Sequence, residues 1–483
     1  MVEHSSFESQ SLKKSKNIWI KNKLNSVKVS LYRCLWLSII LLFQIVILNF
    51  VLGAPSKSIS INTQILQETV MPLPSLQSNQ CQSGMVYVYD LPVMYNKELI
   101  DNCHDLDPWH SRCNAVSNDG LGPITAGLSA GMPENLSPAW YWTDMFSGEI
   151  IYHARILKHK CRTTEPELAT AFYVPFYAGV AVAKYLFTNY TAKERDWHSE
   201  MLLKWLQDQP YWKRSNGSDH FIMLGRMTWD FRRSNDEDWG SSFIHMPLMK
   251  QILRLCVERN PWDHLEISVP YPTGFHPKSK SDLDQWLNFV QTRKRRSLFT
   301  FAGAKRKVKS DFRSLLLSHC YNESDSCRVV DCTGTRCYDG TWEILEAFLD
   351  SDFCLQPRGD AYTRKSMFDC MLAGSIPVFF WKRSIYDQYQ WFLTDEPENF
   401  SVFIDRKDVR NGVSIKKVLE GYNREQIRRM REKVIEFIPR FVYSYMGSDE
   451  MGNKNDAFDL AIDGVLKRFK GEKGSHNAQL KEE

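Results

Sequence analysis

Residues 352–381, DFCLQPRGDAYTRKSMFDCMLAGSIPVFFW, predict a strand, a loop, a helix and a second strand. The first apolar run, residues 353–355, stops at Pro357, as a buried parallel strand does. Four residues then recur at steps of three and four, which places them on one face of a helix: Met367, Cys370, Met371 and Gly374. Since a helix between two strands usually joins parallel neighbours, we expect a sheet that is at least partly parallel.

The turn and the start of this helix predict a site for an anion. Gly359 can adopt a positive φ, Thr363 is the expected helix cap, and the basic pair Arg364 and Lys365 begins the helix. Helix amides, the helix dipole and two cationic side chains would converge where phosphates bind in open α/β sheets. The alternative is an ordinary helix with a solvated basic first turn. Asp369, one turn later, either pairs with Lys365 or holds a ribose hydroxyl.

The composition describes a chain that can bury more than one core and has no strong charge bias. It has 483 residues, of which 43% are hydrophobic and 24% are charged. The formal net charge of +4 is small and gives no argument for nucleic-acid binding. No HExxH or Walker motif occurs. Asp350 and Asp352 mimic an Asp-x-Asp metal triplet but lead directly into a strand, so no metal site is predicted.

The N-terminal segment predicts a single membrane anchor. Residues 34–52 are mostly apolar and close to the minimum length of a transmembrane helix. Residues 1–33 are rich in lysine, so the positive-inside rule places this tail in the cytosol. Residues 53–84 then form a polar stem, and the rest of the chain is lumenal. A cleaved signal peptide is the alternative, although its basic region would be unusually long.

Sequons and cysteines agree with a lumenal body. Asn-x-Ser/Thr sequons for glycosylation occur at Asn135, Asn189, Asn216, Asn322 and Asn399. An oxidising compartment favours disulfides over a zinc cluster among the cysteines of a polar loop, Cys320, Cys327, Cys332 and Cys337. Two other cysteines are instead predicted to be buried free thiols, Cys354 and Cys370.

The lumenal body predicts two Rossmann-like α/β domains, residues 85–290 and 291–483, which face each other across a cleft. The first domain alternates strands at residues 85–89, 171–177, 221–224 and 267–269 with helices at residues 140–160, 197–207 and 247–256. The second domain opens with a strand, and the residues that follow it form a second candidate anion site: Gly303, Lys305 and Arg306. A solvated basic turn is the alternative. Such a cleft is where a nucleotide-linked donor and an acceptor would meet.

The central stretch also carries a family resemblance. CLQPRGDAYTRKSMFDCMLAGSIPVFF resembles the signature of the exostosin-like glycosyltransferases, family 47. The resemblance extends over residues 85–469, where four further stretches are similar to the plant branch that galactosylates xyloglucan: RCNAVSNDG, HFIMLGRMTWDFRR, LFTFAGAKR and DAFDLAIDGVLKRF. Trp381-Lys382-Arg383 is similar to the version of this branch with tryptophan in place of a His-Pro pair, which implies a different xylose position on the polymer.

This resemblance implies an enzyme of cell-wall hemicellulose synthesis. It implies a GT-B fold and a Golgi type II membrane protein whose lumenal body transfers galactose from UDP-galactose, with inversion, to xylose side chains of xyloglucan. It implies no metal and no other cofactor, and other Golgi transferases are expected as partners. Arg364 and Lys365 fall on the basic positions of the family motif, and Asp369 falls on the acidic position expected to hold the ribose.

Two alternatives to galactose transfer remain open. The same fold could use another donor, UDP-galacturonate or an arabinofuranosyl nucleotide, and a carboxylated sugar would need an extra cation such as Lys382 or Arg383. The chain could also be a non-catalytic Golgi subunit that organises other transferases. Intact donor-site residues argue against that second alternative.

An inverting transfer needs a base opposite the departing diphosphate, and we expect it on the cleft edge of the first domain. Asp230 is the first candidate, because it follows the strand at residues 221–224 and adjoins Trp229, which would desolvate it. A structural ion pair with Arg226 or another nearby arginine is the alternative. His276 is the second candidate, although Pro277 beside it suggests a turn.

Overall fold

The computed structural model describes Gln44 and residues 81–106, 112–125, 132–186, 189–235, 239–306, 311–334, 337, 342–445 and 455–479. The predicted cytosolic tail, all of the predicted anchor except Gln44, and most of the predicted stem lie outside these residues. Among the described residues, no helix is both long and apolar enough to cross a membrane. The chain divides into two compact units, and the second, Gln77–Glu483, contains every described strand.

Six parallel strands form the first sheet, in the order β2-β1-β3-β4-β5-β6. The strands are β1 Val86–Val88, β2 Arg162–Thr163, β3 Ala171–Val174, β4 His220–Leu224, β5 Leu253–Cys256 and β6 Glu266–Ser268. The central strands β3 and β4 are fully buried, which explains why AFYV and HFIML are nearly continuous apolar runs.

Five parallel strands form the second sheet, in the order β11-β10-β9-β7-β8. The strands are β7 Ser297–Gly303, β8 Cys327–Asp331, β9 Ser351–Gln356, β10 Ile376–Phe379 and β11 Val402–Phe403. The stretch at residues 352–381 supplies β9 and β10, which are parallel neighbours with a helix between them. The βαβ prediction is therefore confirmed.

Helices cover both sheets and are numbered in chain order: α1 Lys97–Asp101, α2 Cys113–Val116, α3 Gly148–Leu157, α4 Ala178–Ala183, α5 Ala192–Asp208, α6 Pro210–Ser215, α7 Lys280–Thr292, α8 Phe312–Asn322, α9 Trp342–Leu349, α10 Ser366–Leu372, α11 Arg406–Arg410, α12 Ile415–Glu420, α13 Arg424–Phe441 and α14 Ala457–Gln479. Capping boxes at Thr191, Ser279 and Asn423 fix where α5, α7 and α13 begin.

Two predicted helices were wrong in whole or in part. The helix expected at residues 140–160 begins only at Gly148, because Trp140 and Tyr141 form isolated β-bridges instead. The helix expected at residues 247–256 is a 3-10 turn, Pro247–Lys250, followed by β5. A short apolar run such as LRLC has no period that separates a buried strand from a helix.

Five disulfides stabilise the described residues, and one of them corrects a prediction. Cys354 of β9 and Cys370 of α10, which we expected to be free thiols, are bonded to each other. The other pairs are Cys81–Cys161, Cys103–Cys113, Cys320–Cys327 and Cys332–Cys337. Among the described cysteines, only the buried Cys256 is free.

One continuous apolar core joins the two sheets. It includes Phe221 of the first sheet, Phe379 of the second, and Trp286 of α7, whose indole Nε1 donates to the carbonyl of Leu372 at 3.0 Å. Helix α14, at the end of the chain, packs back against α3, where the rings of Phe458 and Tyr152 lie 5.2 Å apart. This shared core fixes how the two sheets are placed within the unit.

Candidate active site

Three arginines gather at the carboxyl end of the second sheet. Arg306 follows β7, Arg364 follows β9, and Arg313 lies in the first turn of α8. The Nη2 atom of Arg364 donates to the carbonyl of Ala302 at 3.2 Å, whereas its Nη1 atom is buried without a protein partner. Arg313 donates to the carbonyl of Arg358 at 3.5 Å. We call Arg306, Arg313 and Arg364 the arginine cluster.

The arginine cluster has an unbalanced positive charge. Burial, together with the nearby guanidiniums of Arg313 and Arg306, lowers the pKa of Arg364 to about 9. Burial and the charge of Arg306 also lower the pKa of Arg313. Asp360 offsets part of this charge by pairing with Arg306, but its own side chain is 73% exposed. Because Arg364 stays protonated at neutral pH, the cluster is suited to binding an anion with several charges.

The loop before Arg364 turns back on itself at Gly359. The amide of Gly359 donates to the carbonyl of Thr363 at 2.9 Å. A β-carbon at Gly359 would lie 2.2 Å from that same oxygen, so no other residue fits this approach. Gly359 and Arg364 are thus brought together as predicted, although through this turn rather than through a helix cap.

The helix after this loop starts later than expected. Helix α10 begins at Ser366, Lys365 occupies the cap position, and no side chain caps the helix. Thr363 is therefore not the cap; its hydroxyl donates to the sulfur of Met367 at 3.7 Å. Lys365 donates to both carboxylate oxygens of Asp369, at 2.7 and 2.9 Å. This is the intrahelical ion pair that we considered as the alternative, and the ribose contact stays a prediction.

Of the three residues of the second predicted anion site, only Arg306 lies in the arginine cluster. Gly303 ends β7, and Lys305 is exposed beyond it. Arg306 joins the arginine cluster, while its backbone amide donates to the carboxylate of Asp311 at 2.8 Å. The structure therefore brings together Arg306 and Arg364, from the two predicted sites, at neighbouring strand ends.

A buried glutamate that the sequence analysis missed links the two halves of the unit. Glu258 follows β5 in the first sheet, and its Oε2 atom accepts from the amides of Tyr362 and Thr363 at 2.6 and 3.0 Å. Its Oε1 atom accepts from the hydroxyl of Tyr271 at 2.6 Å. Burial raises the pKa of Glu258 to about 7. An acidic residue two positions after a buried strand was the only signal in the sequence.

The loop after β10 also contacts the carboxyl end of the first sheet. The side-chain amide of Gln388 exchanges two hydrogen bonds with the backbone of Arg259, at 3.1 and 3.0 Å. The hydroxyl of Tyr389 donates to the carbonyl of Val257 at 2.8 Å. The carboxyl ends of the two parallel sheets therefore face each other, as the predicted cleft requires.

Asp230 forms the structural ion pair that was the alternative to its role as a base. Its carboxylate accepts from Nε of Arg226 at 2.5 Å, and only 2% of Asp230 is exposed. Trp229, which was expected to desolvate it, is 42% exposed and stacks on Trp239 with ring centroids 4.3 Å apart. Asp230 could act as the base only if this ion pair opened, so that role stays a prediction.

His276 is placed as a structural residue. It is fully buried, its Nδ1 atom donates to the carbonyl of Tyr443 at 2.7 Å, and its Nε2 atom bonds to the hydroxyl of Thr143 at 2.7 Å. Burial lowers its pKa to about 4. Since both ring nitrogens are engaged inside the protein, His276 is a poor candidate for accepting a proton from a substrate.

We expect Asp230→Asn to lower the free energy of unfolding by about 1–3 kcal/mol, because a neutral amide leaves the charge of Arg226 without its partner. If the ion pair is the whole role of Asp230, turnover by the folded protein should stay near wild type. Urea denaturation and kcat of the same preparation check both expectations. A fall in kcat of roughly 10²–10⁴ with unchanged UDP affinity would instead identify Asp230 as the base.

The two aspartates of the Asp350-Ser351-Asp352 triplet, at the start of β9, pair with arginines. Asp350 pairs with Arg296 and with Arg328, the second at 2.8 Å, and Asp352 pairs with Arg431. Both carboxylates therefore have cationic partners from the protein itself. This arrangement explains why an Asp-x-Asp pattern stands here without implying a metal.

Two parallel sheets with facing carboxyl ends, and a cluster of arginines at one of them, define an α/β protein with a positively charged site between its halves, an arrangement suited to an anionic ligand. The chain belongs to the Exostosin GT47 domain family, whose sequence pattern matches residues 80–419. The family resemblance of the central stretch is thereby confirmed.

Relatives from Arabidopsis thaliana extend this similarity over most of the chain. The chain is 58% identical over 393 residues to xyloglucan galactosyltransferase XLT2, a match that covers 81% of this chain and 76% of that protein. It is 38% identical over 392 residues to xyloglucan-specific galacturonosyltransferase 1, a match that covers 80% of this chain and 58% of that protein. It is also 38% identical over 396 residues to xyloglucan galactosyltransferase MUR3, covering 81% and 63%.

Proposed function

We propose that this chain is a xyloglucan galactosyltransferase, which transfers galactose from UDP-galactose to xylose side chains of xyloglucan. The observation that carries the proposal is the 58% identity to a xyloglucan galactosyltransferase over 81% of the chain. Transfer proceeds with inversion by a single displacement, in a GT-B arrangement of the two sheets. The polysaccharide enters from the first sheet's half, and the nucleotide sugar is held by the second.

The arginine cluster supports this assignment of the donor half. A UDP-sugar carries its negative charge on the diphosphate, and that charge grows as the bond to the sugar breaks. Arg364 offers a buried Nη1 donor without a protein partner, and Arg306 and Arg313 add charge beside it. Fixed guanidiniums stabilise a leaving diphosphate directly. Asp369 would hold the ribose after releasing Lys365.

Localisation is part of the proposal: a single-pass type II protein of the Golgi membrane with a lumenal body. The five disulfides suit an oxidising compartment, and all five sequon asparagines are exposed: Asn135, Asn189, Asn216, Asn322 and Asn399. We expect a glycosidase to increase the electrophoretic mobility of the membrane-bound protein. An unglycosylated protein in the cytosolic fraction would contradict this topology.

The donor sugar is the main point on which the relatives differ. One relative is named for galacturonate transfer, but at 38% identity against 58% for the galactosyltransferase. The cations that a carboxylated sugar would need are engaged with rings here. The Arg383 guanidinium lies 4.3 Å from the ring centroid of Trp262, and the Lys382 ammonium lies 5.6 Å from that of Phe403. These contacts favour a neutral sugar.

The test is product analysis with the full chain in detergent. We expect a mass increase of one hexose on xylosylated glucan oligosaccharides with UDP-galactose, and none with UDP-galacturonate or a UDP-arabinofuranose. Transfer of either other sugar would change the donor assignment. Failure of all donors, with folding and UDP binding intact, would support a non-catalytic subunit.

The same assay tests the expectation that no metal is needed. We expect activity to persist in excess chelator, because the arginine cluster supplies the charge that a divalent ion would otherwise provide. Full loss of activity that added Mn²⁺ restores would contradict this, and it would direct attention back to Asp350 and Asp352. Initial rates before and after chelation give the measurement.

A further inference from the structure

Glu258 holds the loop that carries Arg364, although it belongs to the other sheet. The two amides that it accepts, those of Tyr362 and Thr363, lie directly before Arg364 in the chain. The carboxylate is 2% exposed, and Tyr271 fixes its orientation from the first sheet's side. These two hydrogen bonds join Glu258 to residues that lie 104 and 105 positions later in the chain.

The other contacts of this loop lie within the second sheet's half: the Ser384 hydroxyl donates to the carbonyl of Tyr362 at 2.6 Å, and the Tyr362 ring stacks on Trp381. One end is closed by the bond between Gly359 and Thr363, and the guanidinium itself rests on the carbonyl of Ala302. Without Glu258, the amides of Tyr362 and Thr363 would lose a charged acceptor inside the protein, which is costly for buried donors. The loop would then be free to move relative to the first sheet, and the buried Nη1 atom of Arg364 would move with it.

We propose that Glu258 is a positioning residue for the donor: it holds the loop at residues 358–364 against the first sheet, so that Arg364 points at the diphosphate. This inference rests on the proposed function and deepens it, because it names what sets the geometry of the donor half. Glu258 touches neither reacting group. It acts through the backbone of Tyr362 and Thr363.

Another buried glutamate offers a matched control. Glu149 is fully buried, and its carboxylate accepts from the amides of Gly179, Val180 and Gly225 at 2.6, 3.2 and 3.0 Å. Burial raises its pKa to about 7, as it does for Glu258. All of its partners, however, belong to the first sheet's half. Substitution of either glutamate therefore removes a buried carboxylate that accepts from backbone amides. Only substitution of Glu258 also removes a contact with the loop that carries Arg364.

The experiment compares Glu258→Gln, Glu258→Ala and Glu149→Gln in the full chain, using UDP binding by calorimetry and separate KM values for donor and acceptor. We expect Glu258→Ala to weaken UDP binding by about 10–100-fold, the equivalent of losing hydrogen bonds to a charged group. Glu258→Gln keeps one acceptor oxygen, so it should weaken UDP binding less than Glu258→Ala does. Acceptor KM should stay unchanged, and Glu149→Gln should bind UDP as the wild type does.

The outcomes separate this inference from the proposed function. Wild-type UDP affinity in folded Glu258→Gln and Tyr271→Phe would overturn the positioning role, and these milder variants keep it testable where Glu258→Ala does not fold. An equal loss of UDP affinity in Glu149→Gln would also overturn it, because the effect would then be general destabilisation. A wild-type protein that binds no UDP would instead refute the proposed function.

Discussion

Arg364→Ala is expected to lower kcat/KM by about 10²–10³, which corresponds to about 2.7–4 kcal/mol of transition-state stabilisation for one lost donor to developing charge. The Nη1 atom of Arg364 is buried without a protein partner, so it keeps a free donor that we expect a phosphate oxygen to accept. Arg306 and Arg313 would still offset part of the diphosphate charge, so we expect kcat/KM to fall but not to reach zero. Steady-state kinetics with UDP-galactose and a xylosylated oligosaccharide give the measurement.

Arg364→Lys should be impaired as well, because an ammonium cannot reproduce the planar fork that bonds both the Ala302 carbonyl and a phosphate oxygen. Arg295 is a matched control, since burial likewise lowers its pKa to about 9. Its guanidinium donates to the carbonyls of Phe348, Ser351 and Ala373. Arg295→Ala should reduce stability but leave the turnover of folded protein unchanged. Wild-type turnover in folded Arg364→Ala would refute the role of Arg364.

The parallel sheets were predictable from sequence because their strands carry their own signal. Apolar runs such as AFYV in β3 and FCL in β9 can be read from the sequence as strands buried on both faces. The strand β8, CRVVD, was missed because it is short and lies among polar residues and cysteines. The same ambiguity turned β5 into a predicted helix. Local pattern therefore predicted the parallel architecture but missed the edge strand β8 and the interior strand β5.

The site was predictable only where it is local in the chain. Gly359 and Arg364 lie in one turn, and the Arg226–Asp230 and Lys365–Asp369 pairs are four residues apart, so each was at least considered. Arg313 is 45 positions from the carbonyl that it contacts, and Glu258 is 104 positions from the Tyr362 amide. The bond between Cys354 and Cys370 likewise depends on how α10 packs on β9. Sequence periodicity cannot predict such contacts, because these residues are distant in the chain and only the folded structure brings them together.

The second large effect concerns the closing helix: Asp456→Ala is expected to lower the free energy of unfolding by about 3–5 kcal/mol, the usual cost of breaking a buried ion pair. The Asp456 carboxylate accepts from Nη1 of Arg155 at 2.6 Å and from the amide and hydroxyl of Ser444 at 2.8 and 2.7 Å. Its other oxygen accepts from the amide of Asp459 at 3.0 Å in the first turn of α14. Removing it leaves Arg155 charged and buried, and it releases the start of α14.

Glu432→Ala is the control for this substitution, because Glu432 pairs with Arg428 on the exposed face of α13, where both side chains are about half exposed. An exposed pair contributes about 0–1 kcal/mol, so the urea midpoint should move little. Asp456→Ala should lower the midpoint strongly, and it should also expose the end of the chain to proteolysis before the sheets unfold. If both variants unfolded at the same urea concentration, Asp456 would not be what holds α14 on α3, and the shared apolar core around Phe458 would carry that contact instead.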